Sequence, residues 1–125
     1  MKNFIISCGL VLLAWCSQPI EYTIDFCTNL NSDIECESNS NSFKVGDRVY
    51  VLFECNQPFK EKTITGKIYA IESTGSIPLG SQDWKINPGD SYAYDHVDCH
   101  ESGTFRFEFL NEEGQVLATN QLEVN

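Results

Sequence analysis

Phenylalanine recurs at every second position in Gly103-Thr-Phe-Arg-Phe-Glu-Phe-Leu110, so Phe105, Phe107 and Phe109 fall on one side of an extended chain and Thr104, Arg106 and Glu108 on the other. Side chains alternate across a strand, and a strand with one face in a core and one in water requires this pattern. Asn111-Glu-Glu-Gly114 follows as a turn, and Val116 to Val124 returns as a second strand. The chain thus acquires a closing hairpin. The strongest earlier strand ends at Cys55 and puts Val49, Val51, Phe53 and Cys55 on one face. Thr63 to Glu72 puts Ile64, Ile68 and Ala70 on one face and Tyr69 and Ile71 on the other, with Gly66 marking an expected bulge. Shorter strands are expected over Glu21 to Phe26 and Ser91 to Val97. Between them, Gly75, Pro78 and Gly80 suggest a loop, Asp83 to Ile86 a short segment, and Asn87-Pro-Gly-Asp a turn. No stretch carries a helical period. The expected class is an all-β, antiparallel sandwich of about seven strands.

At 125 residues the chain has material for one proper core. Its 18 acidic residues against 8 basic ones, a formal charge of -10, speak against a nucleic-acid partner, because phosphate binding needs clustered Lys and Arg and no such cluster occurs. Six cysteines in so short a chain point to an oxidising compartment.

The N-terminus suggests the route there. Lys2 precedes an uncharged, mostly apolar run from Phe4 to Trp15, too short to span a bilayer, which takes about 20 apolar residues, and of the size of a secretory signal. Its end, Leu13-Ala14-Trp15-Cys16, resembles the lipobox of bacterial lipoproteins. The resemblance implies that residues 1–15 are removed as a signal peptide. It further implies that Cys16 carries diacylglycerol and a further acyl chain such as palmitate, and that residues 16–19 form a short tether to a domain over residues 20–125. Trp15 departs from the pattern, which has Gly, Ala or Ser there. The expected location is the bacterial cell envelope, at the outer membrane or cell surface, with the membrane contacted through the Cys16 anchor and a protein partner beside it. Conventional secretion and an uncleaved membrane anchor are the alternatives.

Glu101-Ser-Gly103-Thr-Phe105-Arg-Phe107 is similar to the acid-x-Gly-x-Tyr-x-Cys run that opens the penultimate strand of immunoglobulin-like sandwiches. In that likeness Phe105 replaces the corner tyrosine and Phe107 fills the space of the inter-sheet cysteine. Such folds serve adhesion, assembly or ligand binding, and the fold does not specify which. The function expected is therefore a non-catalytic interaction or structural module.

Setting Cys8 and Cys16 aside leaves Cys27, Cys36, Cys55 and Cys99 as disulfide candidates. Sequence proximity pairs Cys27 with Cys36 and Cys55 with Cys99. The immunoglobulin-like layout objects to the second pair, because it places the two sulfurs toward opposite ends; the rival pairing therefore joins Cys27 or Cys36, in the long polar loop, to Cys55 or Cys99 in the body of the domain. Asp95-His96-Val-Asp98-Cys99-His100-Glu101 gathers thiol, imidazole and carboxylate. His96, Asp98 and His100 make it the candidate zinc or copper site of an alternative, metal-binding function. Neighbours on an extended chain point apart, so a Cys99 and His100 nucleophile pair is not expected, and no catalytic residues or cofactor are assigned. Asp33-x-Glu35-x-Glu37 lacks the spacing of a calcium loop. Tyr50, Tyr69, Tyr92, Tyr94 and Trp84 are expected mainly at core edges.

Overall fold

The computed structural model describes residues 19–125. The signal segment expected at 1–15 and the lipid attachment expected at Cys16 lie outside the described residues. Among the described residues eight strands form: β1 (Tyr22–Cys27), β2 (Ser42–Phe43), β3 (Arg48–Cys55), β4 (Thr63–Glu72), β5 (Gly75–Lys85), β6 (Tyr92–Asp98), β7 (Gly103–Leu110) and β8 (Val116–Val124). They build two sheets, β1-β3-β6 and β2-β8-β7-β4-β5. All pairings are antiparallel except β2 with β8. In immunoglobulin lettering the order is A-B-E against A′-G-F-C-C′, and strand D is missing. The fold is an immunoglobulin-like β-sandwich.

The alternations expected along β3, β4 and β7 hold. Val49, Val51 and Phe53 are at most 2% exposed, and Phe107 and Phe109 at most 6%. The sheets meet through aromatic rings. Phe53 stacks on Phe109 with centroids 4.5 Å apart, Phe26 meets Phe107 at 5.1 Å, and Trp84 tilts onto Phe109 at 4.9 Å. Phe107 thus fills the inter-sheet space as expected. The tightest stacked pair, however, lies one inward step further along β7, at Phe109.

Three local expectations change. The segment from Gly75 to Lys85 is one continuous strand paired with β4 along its length, not a loop followed by a short segment. Gly and Pro are tolerated there because β5 is an edge strand, where a missing donor disrupts no ladder. The irregularity in β4 falls between Ile68 and Tyr69, where β5 accommodates Leu79, and not at Gly66. Gly66 has another reason: a Cβ there would lie 2.9 Å from the Phe109 ring. The two-residue β2 escaped the sequence because it is held by pairing with distant β8.

One end of the core contains a buried polar pair. The Tyr22 hydroxyl donates to both carboxylate oxygens of Glu61 at 2.9 Å, and Glu61 is buried. Burial, then the hydrogen bond and charge of Glu61, hold the Tyr22 phenol well above the usual tyrosine value. A raised folded-state value means stability that is whole below the unfolded tyrosine value, about pH 10, and is lost as pH rises through the folded value. Melting temperatures from about pH 8 to about pH 12 should fall more steeply above about pH 10 in the parent than in Tyr22→Phe. Near neutrality the same substitution should cost about 1–3 kcal/mol, since Glu61 loses its donor. Parallel pH profiles would show that the phenol titrates freely.

Candidate functional site

Asn87-Pro-Gly-Asp forms the expected turn, closed by the Asp90 amide donating to the Asn87 carbonyl at 3.1 Å. Gly89 at φ 89° supplies the left-handed residue that a type II turn needs at its third position. This turn carries the chain directly from β5 in one sheet to β6 in the other, so no strand D is laid down. Three strands then face five. β5 and β6 are left as free edges on the same side of the sandwich, and the inner face of β4 and β5 is only partly covered.

Three adjoining depressions follow this seam. The largest apolar one, about 440 Å³, lies at the β6–β7 end under Cys99 and is lined by Ile68, Leu79, Gly80, Val97, Phe105 and Phe107, with Leu122 and Val124 at its inner end. Gly80 pairs with Ile68 across the ladder, so position 80 faces the inner side, and a Cβ there would meet nothing within 4 Å. Part of the space is therefore the missing side chain of residue 80. Asp98, His100 and Glu101 are the polar residues of the lining. A small neck of about 60 Å³ next to Trp84 and Asp95 joins it to a polar hollow of about 460 Å³ around Asp83, Asp90, Tyr92 and Tyr94.

Asp95 is the unusual group. By alternation it belongs to the inner face of β6, opposite Val51 in the ladder. Its Oδ1 accepts from the His96 amide at 2.8 Å. An acid on an edge strand whose carboxylate occupies an edge amide is a device that discourages pairing with another strand.

The sequence candidates disperse. Cys27 and Cys36 are joined, so the loop after β1 is tied down locally. Cys55 and Cys99 are free and buried, which corrects the second expected disulfide. Glu54 pairs with Tyr92 and Arg48 with Asp98, so the antiparallel β3–β6 ladder puts the two cysteines at opposite ends. At about 3.4 Å per residue that is roughly 20 Å, against the roughly 7 Å limit of a disulfide. Burial, then the Asp47 and Asp98 carboxylates, push the Cys99 thiol up, which disfavours the reactive thiolate.

The fold does not bring His96, Asp98 and His100 together. No group of three His, Cys, Asp or Glu side chains among the described residues could hold an ion. Asp98 instead accepts from Arg48 Nε at 3.0 Å, and that guanidinium holds its carboxyl below the usual range. His96 turns its Nδ1 toward Asp95 at 3.6 Å. In the 28–41 loop, Asn31 Oδ1 accepts from the Asp33 and Glu35 amides, making a local turn.

The aromatic candidates divide. Trp84 faces the core, Tyr69 lies under the Arg106 guanidinium at 4.6 Å, and Tyr50, Tyr94 and His96 cluster on the outer face of the small sheet, with ring centroids 6.5 and 6.1 Å from Tyr50.

That outer face is partly roofed. Leu52 points outward yet is 1% exposed, and Glu35 of the tied loop reaches the neighbourhood of Glu54. Burial, then the Asp25 and Glu35 carboxylates, push the Glu54 carboxyl above its ordinary range. The stability linked to its proton is therefore present below the ordinary carboxylate value and lost as pH rises through the raised one. Glu54→Gln should raise stability near pH 7 by about 0.2–1 kcal/mol, the scale of a cross-strand pair, with the gain vanishing in acid. Urea melts at the two pH values check this.

Sequence reasoning missed Leu79, Gly80, Val97 and Asp95 as seam residues. The available signal was the distance from Lys85 to Tyr92, too short to hold a further strand.

The architecture defines the class, an immunoglobulin-like sandwich lacking one edge strand. No family model matches the chain, and no curated protein does. Among solved structures it is similar to a Niemann-Pick type C2 protein from Japanese carpenter ant, with a TM-score of 0.55 at 11% identity, covering 87% of this chain and 95% of that one. It is also similar to superoxide reductase (neelaredoxin) from Ignicoccus hospitalis, with a TM-score of 0.51 at 11% identity, covering 84% and 80%. At these identities the likeness is one of fold.

Proposed function

We propose that this chain is a non-catalytic binding module of the bacterial cell envelope, anchored by acyl chains at Cys16, and that the seam between β5 and β6 is its binding surface. The observation that supports this is the mismatch of three strands against five, which leaves an apolar inner face reachable from solvent. Concave, mostly apolar sites with a few polar groups at the rim are where binding surfaces form. An anchor with two or more acyl chains suits an acidic domain, because net negative charge gives no electrostatic help at an anionic membrane and one chain alone holds only marginally. The outer membrane or cell surface is the location proposed, with secretion the alternative.

Two experiments test the parts separately. Cells fed labelled palmitate should label the parent and not Cys16→Ala; an unlabelled parent removes the anchor. A photo-crosslinker at position 79, on the seam, should capture an envelope component, whereas one at Thr119, exposed on β8, should not. Capture at Thr119 alone would move the binding surface elsewhere.

A further inference from the structure

We infer that the apolar end of the seam takes the hydrocarbon chain of a single-chain amphiphile whose polar end is neutral or cationic, an inference that rests on the seam being the binding surface. The volume, about 440 Å³, falls within the range of about 300–1,000 Å³ that holds small ligands. Its walls are hydrocarbon from both sheets, Ile68, Val97, Phe105 and Phe107 among them. Nothing on the inner side of Gly80 fills the remaining space.

Of the polar residues of the lining, Asp98 shares the outer face of β6 with His96 and is held by Arg48, which leaves Glu101 and His100 to meet a polar head, in a chain of formal charge -10. The nearby cation, Arg48, is already engaged by Asp98. An anionic head would therefore meet the Glu101 carboxylate with no free guanidinium beside it, whereas an ammonium or hydroxyl head meets an acceptor. A polypeptide strand is the less favoured occupant, because Asp95 already holds the His96 amide on the edge such a strand would pair with. Pro78 removes a donor from the facing β5 edge. Cys99, buried above the cavity, is placed to report occupancy.

The test uses the full chain with alkyl ammonium, alkanol and alkanoate probes in a chain-length series ending at dodecyl ammonium, dodecanol and dodecanoate, the three heads compared at equal length and each probe below its aggregation concentration. Binding is followed by calorimetry and by protection of Cys99 from methyl methanethiosulfonate, read by peptide mass spectrometry. Affinity should rise about fourfold per added methylene until the pocket is full. Dodecanoate should bind about tenfold more weakly than the ammonium at low salt, the gap closing at high salt. Gly80→Leu should abolish binding without loss of thermal stability, and Leu79→Ser, at an exposed position, should weaken it. Glu101→Gln should shrink the head-group preference while leaving the chain-length series intact, which a merely structural role would not do. Dodecanoate binding best, binding that survives in Gly80→Leu, or Cys99 unprotected by every probe would each overturn the inference. A seam-dependent envelope partner captured at position 79 in both the parent and Gly80→Leu would also overturn it, yet would leave the binding-module reading standing.

Discussion

Phe109→Ala is expected to destabilise the domain by about 3–5 kcal/mol, enough to remove a large part of the stability of a chain this size. Phe109 is 2% exposed and touches the ring of Phe53 from the opposite sheet and that of Trp84 from β5. The backbone at Gly66 approaches it so closely that a Cβ would lie 2.9 Å from its ring. Deleting the ring leaves a cavity that β4 and β5 cannot close, because their spacing is set by the ladder. Phe107→Ala should cost less, since Phe107 borders the open seam and its loss can be filled by water or by movement of Ile68. Gly66→Ala in the parent should cost about 1–3 kcal/mol by overpacking, and much less beside Phe109→Leu, where the ring no longer stands in the way. Chemical denaturation of the single and double variants gives the coupling directly. Equal losses for Phe107→Ala and Phe109→Ala would mean that the seam is closed in solution.

Replacing both Cys27 and Cys36 with serine is expected to cost about 2–3 kcal/mol, because a short loop closed by a disulfide has little chain entropy to lose on folding and the open one has more. The bridge spans a sequence separation of 9. Its second effect is local. The loop it pins brings Glu35 to the neighbourhood of Glu54 on the outer face of β3, so the open form should weaken the upward push on the Glu54 carboxyl and quicken exchange of the Asn31 turn amides while leaving the Phe53–Phe109 core protected. Hydrogen exchange separates the two effects. Replacing the free pair, Cys55 and Cys99, should by contrast leave the response of stability to reductant unchanged, since they form no bond.

Much of the fold was legible because its causes are local. A period of two in β7, β3 and β4 says which side chains face inward whatever the partner strand is, and Asn-Pro-Gly-Asp and Asn-Glu-Glu-Gly close turns through their own backbone preferences. β5 was obscured because its Gly and Pro residues carry turn signals, and its pairing comes wholly from β4. The candidate ligands are not brought together for a geometric reason: His96 and Asp98 do share a face, but Asp98 accepts from Arg48, a neighbour 50 residues away in the sequence that no local pattern announces.

By itself the sequence determined the all-β class, the inward faces of the major strands and the closing hairpin, all set by interactions between near neighbours, and it favoured the Cys27–Cys36 bridge without excluding its rival. Tertiary structure alone decided which cysteines pair, that Gly66 makes room for Phe109, and that three strands face five. The seam beneath Cys99 belongs to this second group. It arises from a strand that is not there and a side chain that Gly80 does not have, and such a space exists only once both sheets are in place.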